Sequence, residues 1–132
     1  MMNISAKTSG SEAAGVEQTR QALLKAALHL FGAVGYDGAS TRAIADAAGA
    51  NIGSIAYHFG GKEGLYAVIV DREVTLMIST INSSMGGDNP REMLESAALA
   101  MLTYIETSTD GFRILVRDSP PGMVPGSFAS SI

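Results

Sequence analysis

Apolar side chains recur along this chain at three- and four-residue spacing, the period of a helix with one buried face. From about Val16 to Val34, Leu23, Leu24, Ala27, Leu28, Leu30, Phe31 and Val34 make a wide stripe, opposed by Gln18, Arg20, Gln21 and Lys25. This predicts a first helix that Gly35 terminates, with Tyr36, Asp37 and Gly38 as the connecting turn. Two short helices follow. Ser40 or Thr41 can cap the first, whose small apolar face is Ala43, Ile44, Ala47 and Ala48, and Gly49 ends it. The second runs from about Ile52 to His58, with Ile55 and Phe59 facing inward, and Gly60 and Gly61 stop it. A long helix is expected from Gly61 or Lys62 to about Ser84, carried by Leu65, Tyr66, Ile69, Val70, Val74, Met77, Ile78 and Ile81. Its length, at ~1.5 Å per residue, is on the order of 30 Å, enough for a rigid connector.

Ser83 to Asn89 reads as a turn. Asn89 can cap a fifth helix, with Pro90 in its first turn and Leu94, Ala97, Ala98, Met101, Leu102 and Ile105 on one face up to Thr107. Thr109, Asp110 and Gly111 break that pattern. Phe112 to Arg117 is a short helix in this setting, a strand being the alternative on propensity alone. Three prolines between Ser119 and Gly126 exclude a regular element there, and Ser127 resembles the cap of one more helix. Met1 to Gly15, rich in Ser, Gly, Thr and Ala, reads as a disordered tail. The fold class is all-α. A helix-turn-helix headpiece of three helices (16–61, motif 40–59) is joined by the connector to a partial helical domain (62–132).

The stretch from Gly35 to Tyr66, GYDGASTRAIADAAGANIGSIAYHFGGKEGLY, resembles the DNA-binding signature of the TetR/AcrR family of bacterial transcriptional regulators. The GY before the first short helix, the core TRAIADAAG and the closing YHFGGKEGLY carry the likeness, in order and spacing. The second short helix is similar to the branch reading N-x-x-x-I-x-Y-x-F-G. Ala56 departs from the aromatic residue that many members carry before the position of Tyr57, so the operator sequence is expected to differ from theirs.

Geometry and resemblance together name the candidates for DNA contact. With Ile55 and Phe59 inward, Asn51, Ile52, Gly53, Ser54, Ala56, Tyr57 and His58 remain to face DNA. Asn51 and Ser54 can hydrogen-bond bases or phosphates, and Ile52 and Ala56 can touch a thymine methyl. Tyr57 and His58 match family positions that lie against the phosphate backbone. Packing and ordinary solvation are the competing roles for these two. Ser40, Thr41 and Arg42 start the first short helix and Lys62 starts the long one, where backbone N–H groups and a cation converge on a phosphate. The resemblance further implies a small apolar or amphipathic effector held among the later helices, with Met93, Met101, Tyr104 and Phe112 as candidate lining; plain core is the competing reading.

Charge tempers this picture. The formal net charge is −4. Residues 1–66 balance Lys7, Arg20, Lys25, Arg42 and Lys62 against Glu12, Glu17, Asp37, Asp46 and Glu63, so any DNA contact relies on a few placed groups rather than a basic patch. There is no cysteine, which rules out disulfides and thiolate metal sites and fits a reducing cytoplasm. No catalytic motif, phosphate loop or metal-ligand spacing is present; His29 reads as a surface histidine, and no cofactor is expected. No apolar run approaches the ~18 residues of a membrane span, and the first residues lack the apolar stretch of a secretion signal.

The sequence thus reads as a ligand-responsive DNA-binding regulator, a repressor on a near-palindromic double-stranded operator. The alternative is a helical protein–protein interaction module derived from such a regulator that no longer binds DNA. Family members continue through further helices that form the homodimer interface, so this chain is expected to be a truncated form or a fragment, and to be monomeric or prone to nonspecific association. The mean hydropathy of +0.19 fits apolar faces that such missing segments would cover.

Overall fold

The computed structural model describes residues 2–117, with side chains from residue 12 onward; the proline-rich stretch 119–126 and the cap expected at Ser127 lie outside the described residues. Six helices follow one another: α1 (Met2–Gly38), α2 (Thr41–Ala48), α3 (Gly53–Phe59), α4 (Lys62–Ser84), α5 (Pro90–Thr107) and α6 (Thr109–Arg117). Together they form an all-α fold.

Helix α1 begins at Met2, well upstream of Val16, so the segment 1–15 expected as a disordered tail is helical from its second residue. Residues 12–18 are exposed, so no packing specifies that part of the extension. It continues a helix already nucleated downstream, where each further residue adds a hydrogen bond without the initiation penalty. At the other end Gly35, at φ 81° and ψ 170°, breaks the helix as expected, and Tyr36 to Gly38 form a separate turn. Val34, placed on the buried stripe by spacing, is instead largely exposed, because the break follows it immediately.

Ser40 caps α2: its Oγ accepts from the Ala43 N–H at 3.0 Å. Gly49 closes the helix in the left-handed region, at φ 67°, and the helix buries Ile44 and Ala45. The apolar face is therefore Ile44, Ala45 and half-buried Ala48; Ala43 and Ala47, expected inside, are exposed. Gly60 ends α3 at φ 78°. Asn89 Oδ1 accepts from the Glu92 N–H at 2.9 Å, which starts α5 at Pro90 as read. The break before α6 is narrower than Thr109–Gly111. Only Ser108 is non-helical, and the three residues form the first turn of α6.

One core joins the first helices to α6. Leu23, Leu24, Ala27 and Phe31 of α1 meet Ile44 and Ala45 of α2, Ile55 of α3, Leu65, Tyr66, Ile69 and Val70 of α4, and Ile114 of α6. Fully burying a Leu, Ile, Val or Phe side chain in this core stabilises by about 1.5–3 kcal/mol. Helix α4 packs on α1 and α3, and also on α5 and α6. It thus touches both the headpiece and the later helices.

Candidate nucleic-acid interface

The interface begins with what anchors α3. Ile55 is 2% exposed and sits in the shared core, and Phe59 packs half-buried against it. That fixes the rotation of a helix only seven residues long. The remaining faces then open outward: Asn51, Ile52, Gly53, Ala56 and Tyr57 are exposed, Tyr57 to 77%. The Tyr57 ring therefore lies outside the shared core. Ser54 and His58 are half-buried. His58 lies edge-on to Tyr57, with centroids 4.9 Å apart, so the two rings support one another.

Local hydrogen bonds decide which polar groups remain available. Asn51 Oδ1 accepts from the Gly53 N–H at 3.0 Å, which commits the carbonyl end of the side chain to starting α3. Its amide nitrogen keeps two donors. Ser40 Oγ accepts from Ala43 but still has its own proton to donate. Thr41 is half-buried and Arg42 exposed in the first turn of α2, where backbone N–H groups point outward. Lys62 opens α4 half-buried, and its Nζ stands 4.3 Å from the centroid of the Tyr36 ring.

Sequence reasoning missed further contacts, all of them long-range. Arg20, assigned to the watery face of α1, is half-buried with its guanidinium carbon 5.2 Å from the centroid of Phe59, tying α1 to the end of α3. His29 Nδ1 lies 3.2 Å from Asp110 Oδ2 on α6. Arg117 Nη2 donates to the Gly32 carbonyl at 2.8 Å, near the break at Gly35 where α1 carbonyls lose their helical partners. Glu73 on α4 is buried, and its Oε1 accepts from the Tyr104 hydroxyl at 3.1 Å and the Ser108 hydroxyl at 2.5 Å. Only Glu73 left a trace in the sequence: an acid at a stripe position, four residues after Ile69 and three after Val70.

The four expected effector residues differ in their burial among the later helices. Tyr104 is 1% exposed with its hydroxyl committed to Glu73, and its pKa lies well above the usual phenol range. Burial is the largest cause, followed by the Glu73 charge and their hydrogen bond. Met101 and Phe112 are half-buried and Met93 is exposed. Two open grooves do flank Glu73. One is lined by Gln21, Leu24, Lys25, Leu28, Ile69, Arg72 and Glu73, the other by residues of α4 alone. None of the four lines either groove. No helix among the described residues is long and apolar enough to cross a membrane. Nor do three or more His, Asp or Glu side chains cluster there as metal ligands would.

Residues 23–69, which span α1 to the middle of α4, match the family model described as bacterial regulatory proteins, tetR family. Among curated proteins, the chain is 34% identical over 87 residues to the HTH-type transcriptional repressor AcnR of Corynebacterium glutamicum, covering 64% of this chain and 46% of the relative. It is 32% identical over 101 residues to the HTH-type transcriptional activator FasR of Mycolicibacterium smegmatis, covering 75% of this chain and 46% of that protein. The chain thus spans about half the length of the curated relatives it matches. A crystal structure of a TetR-like transcriptional regulator from Rhodococcus sp. RHA1 superposes with a TM-score of 0.74 at 26% identity, over 86% of this chain and 62% of that one. With the motif, the helix order and these likenesses in agreement, residues 23–69 are a helix-turn-helix domain of the kind described as bacterial regulatory proteins, tetR family.

Proposed function

We propose that this protein is a ligand-responsive transcriptional regulator that represses by binding a near-palindromic duplex operator, read by two headpieces of a homodimer. The observation that carries the reading is the outward face of α3: an anchor at Ile55, and Asn51, Ile52, Ala56 and Tyr57 exposed around it. A helix fixed in rotation and bare on its outer face suits the major groove. Asn51 and Ser54 then face base edges through donors, Ile52 and Ala56 through methyl groups, and Gly53 allows close approach. Tyr57, His58, Ser40, Thr41, Arg42 and Lys62 hold the phosphate backbone on either side.

Helix α4 is the element that carries a response. It starts at the headpiece with Lys62 and, some three turns later, is tied through Glu73 to α5 and to the residue before α6. An effector among α4 to α6, in reach of half-buried Met101 and Phe112, would act by shifting α4 between two positions. Repression is the sense of the AcnR likeness; FasR, named an activator, gives the other sense. The protein acts in the cytoplasm, where the chromosome is, and has no catalytic role and needs no cofactor.

A second reading, a helical interaction module that no longer binds DNA, is favoured by the exposed Leu94, Leu99 and Leu102 on α5 and by the balanced charge of the first half. Salt separates the two. Affinity of the purified chain for duplex DNA should fall steeply between low and physiological salt, by about tenfold or more for a few phosphate contacts. Duplex affinity that does not change with salt rejects the DNA-binding reading.

A further inference from the structure

We infer that Tyr36 is a positioning residue for DNA contact: its ring holds the Lys62 ammonium at the start of α4 without neutralising it. The inference rests on the DNA-binding reading above and adds to it a residue outside the helix-turn-helix motif. The geometry starts at Gly35, whose positive φ ends the straight part of α1 and turns the chain so that Tyr36 leaves the helix axis. Its ring is then fixed from two sides. Phe31 stacks on it with centroids 5.7 Å apart, and Tyr66 meets it edge-on at 4.7 Å. Phe31 and Tyr66 are themselves buried and in mutual contact at 5.0 Å, so the ring is set by the core rather than by solvent.

Lys62 Nζ lies 4.3 Å from the centroid of that ring, inside the ~6 Å range of a cation–π contact. No carboxylate forms an ion pair with Lys62 among the described residues. The distinction matters. A carboxylate partner would fix the lysine but cancel its charge and compete with phosphate. A neutral ring fixes it and leaves a full positive charge with three donors. The phenol is held in its neutral form, its pKa raised by burial and, to a lesser degree, by the charges of Glu63 and Asp37. A long, rotamer-rich side chain is thereby ordered before DNA arrives, and this reduces the entropy lost on binding.

The test is a double-mutant cycle on the full chain with a mixed-sequence duplex as probe, since a backbone contact is independent of sequence. Tyr36→Leu should weaken binding about two- to fivefold, the range of a partly exposed cation–π contact. Tyr36→Phe, which keeps the ring, should bind like the unsubstituted chain. In a Lys62→Met background Tyr36→Leu should change affinity little, because the group it positions is gone. Equal proportional losses in both backgrounds would overturn the inference and leave Tyr36 as packing alone. Melting curves check that each variant is folded; Tyr36→Met, unbranched, adaptable in shape and without a π face, replaces Tyr36→Leu where that variant unfolds. A second readout needs no DNA. The Lys62 ε-methylene protons should be shifted upfield by the ring in NMR spectra of the unsubstituted chain, and an ordinary lysine shift there overturns the inference. Failure of the unsubstituted chain to bind any duplex, with the upfield shift present, overturns the DNA-binding reading and the role built on it. Salt-dependent binding without coupling overturns the inference alone.

Discussion

Removing one oxygen atom from Tyr104 probes the joint between α4 and the later helices. Tyr104 is among the largest fully buried side chains, and its hydroxyl donates to a carboxylate, Glu73, that is itself 6% exposed. A hydrogen bond to a charged group contributes about 1.5–3 kcal/mol, and Tyr104→Phe leaves the acceptor in place and buried. Ser108 still donates to the same Oε1, which keeps the loss within that range rather than that of an uncompensated buried charge. The melting temperature should fall by roughly 5–15 °C for a domain of this size. The effect also depends on pH. The folded-state pKa of Tyr104 is raised above its unfolded value of 10.0, so its stabilisation is fully present below pH 10 and declines as pH rises toward the folded-state value. The phenylalanine variant lacks this proton. The stability gap between the two proteins, measured by urea unfolding, should therefore be widest at neutral pH and narrow steadily above pH 10. A gap under about 0.5 kcal/mol at pH 7, the scatter of ordinary surface changes, would refute the account of this joint. So would a gap that stays constant from pH 8 to pH 11.

Other expectations test the interface and the close approaches. Arg42→Ala should weaken binding to all duplexes alike and lower the salt slope by about one, measured by titration at several salt concentrations. Ala56→Tyr, placed on the exposed face of α3, should change which duplexes are selected while the circular dichroism spectrum and melting curve hold. Gly111→Ala should destabilise by about 1–3 kcal/mol in denaturant unfolding, because an added Cβ would collide with the Glu73 carboxylate and the Ser108 hydroxyl.

The parts of this fold written locally were legible in the sequence. Ser40, Gly49, Asn89 and Gly35 act within four residues of themselves, and each caps or breaks a helix where the chain says it should. The rotation of α3 followed from Ile55 and Phe59 alone. What the sequence hid depended on partners far along the chain. Period alone put Ala43 and Ala47 inside α2, but the element packed against it buries Ala45 instead. Arg20 looked like a solvent charge, and the ring beside Lys62 went unseen, because their aromatic partners lie 39 and 26 residues away. Asp110 and Gly111 looked like a helix break. In the fold they are a first turn pressed against Gly32 of α1 and Glu73 of α4, where only small residues fit. Met and aromatic residues at helical spacing look alike whether they line a pocket, fill a core or, as with Met93, face water.

The central claim is that the exposed face of α3 reads duplex DNA. Its most direct test is selection of bound sequences from a pool of random duplexes by the purified chain, in parallel with Asn51→Ala and Ala56→Tyr. The account predicts a defined enriched motif for the unsubstituted chain, and motifs that change at particular positions in the two variants. Recovery of an unenriched pool, or of one motif unaltered by both substitutions, would contradict it.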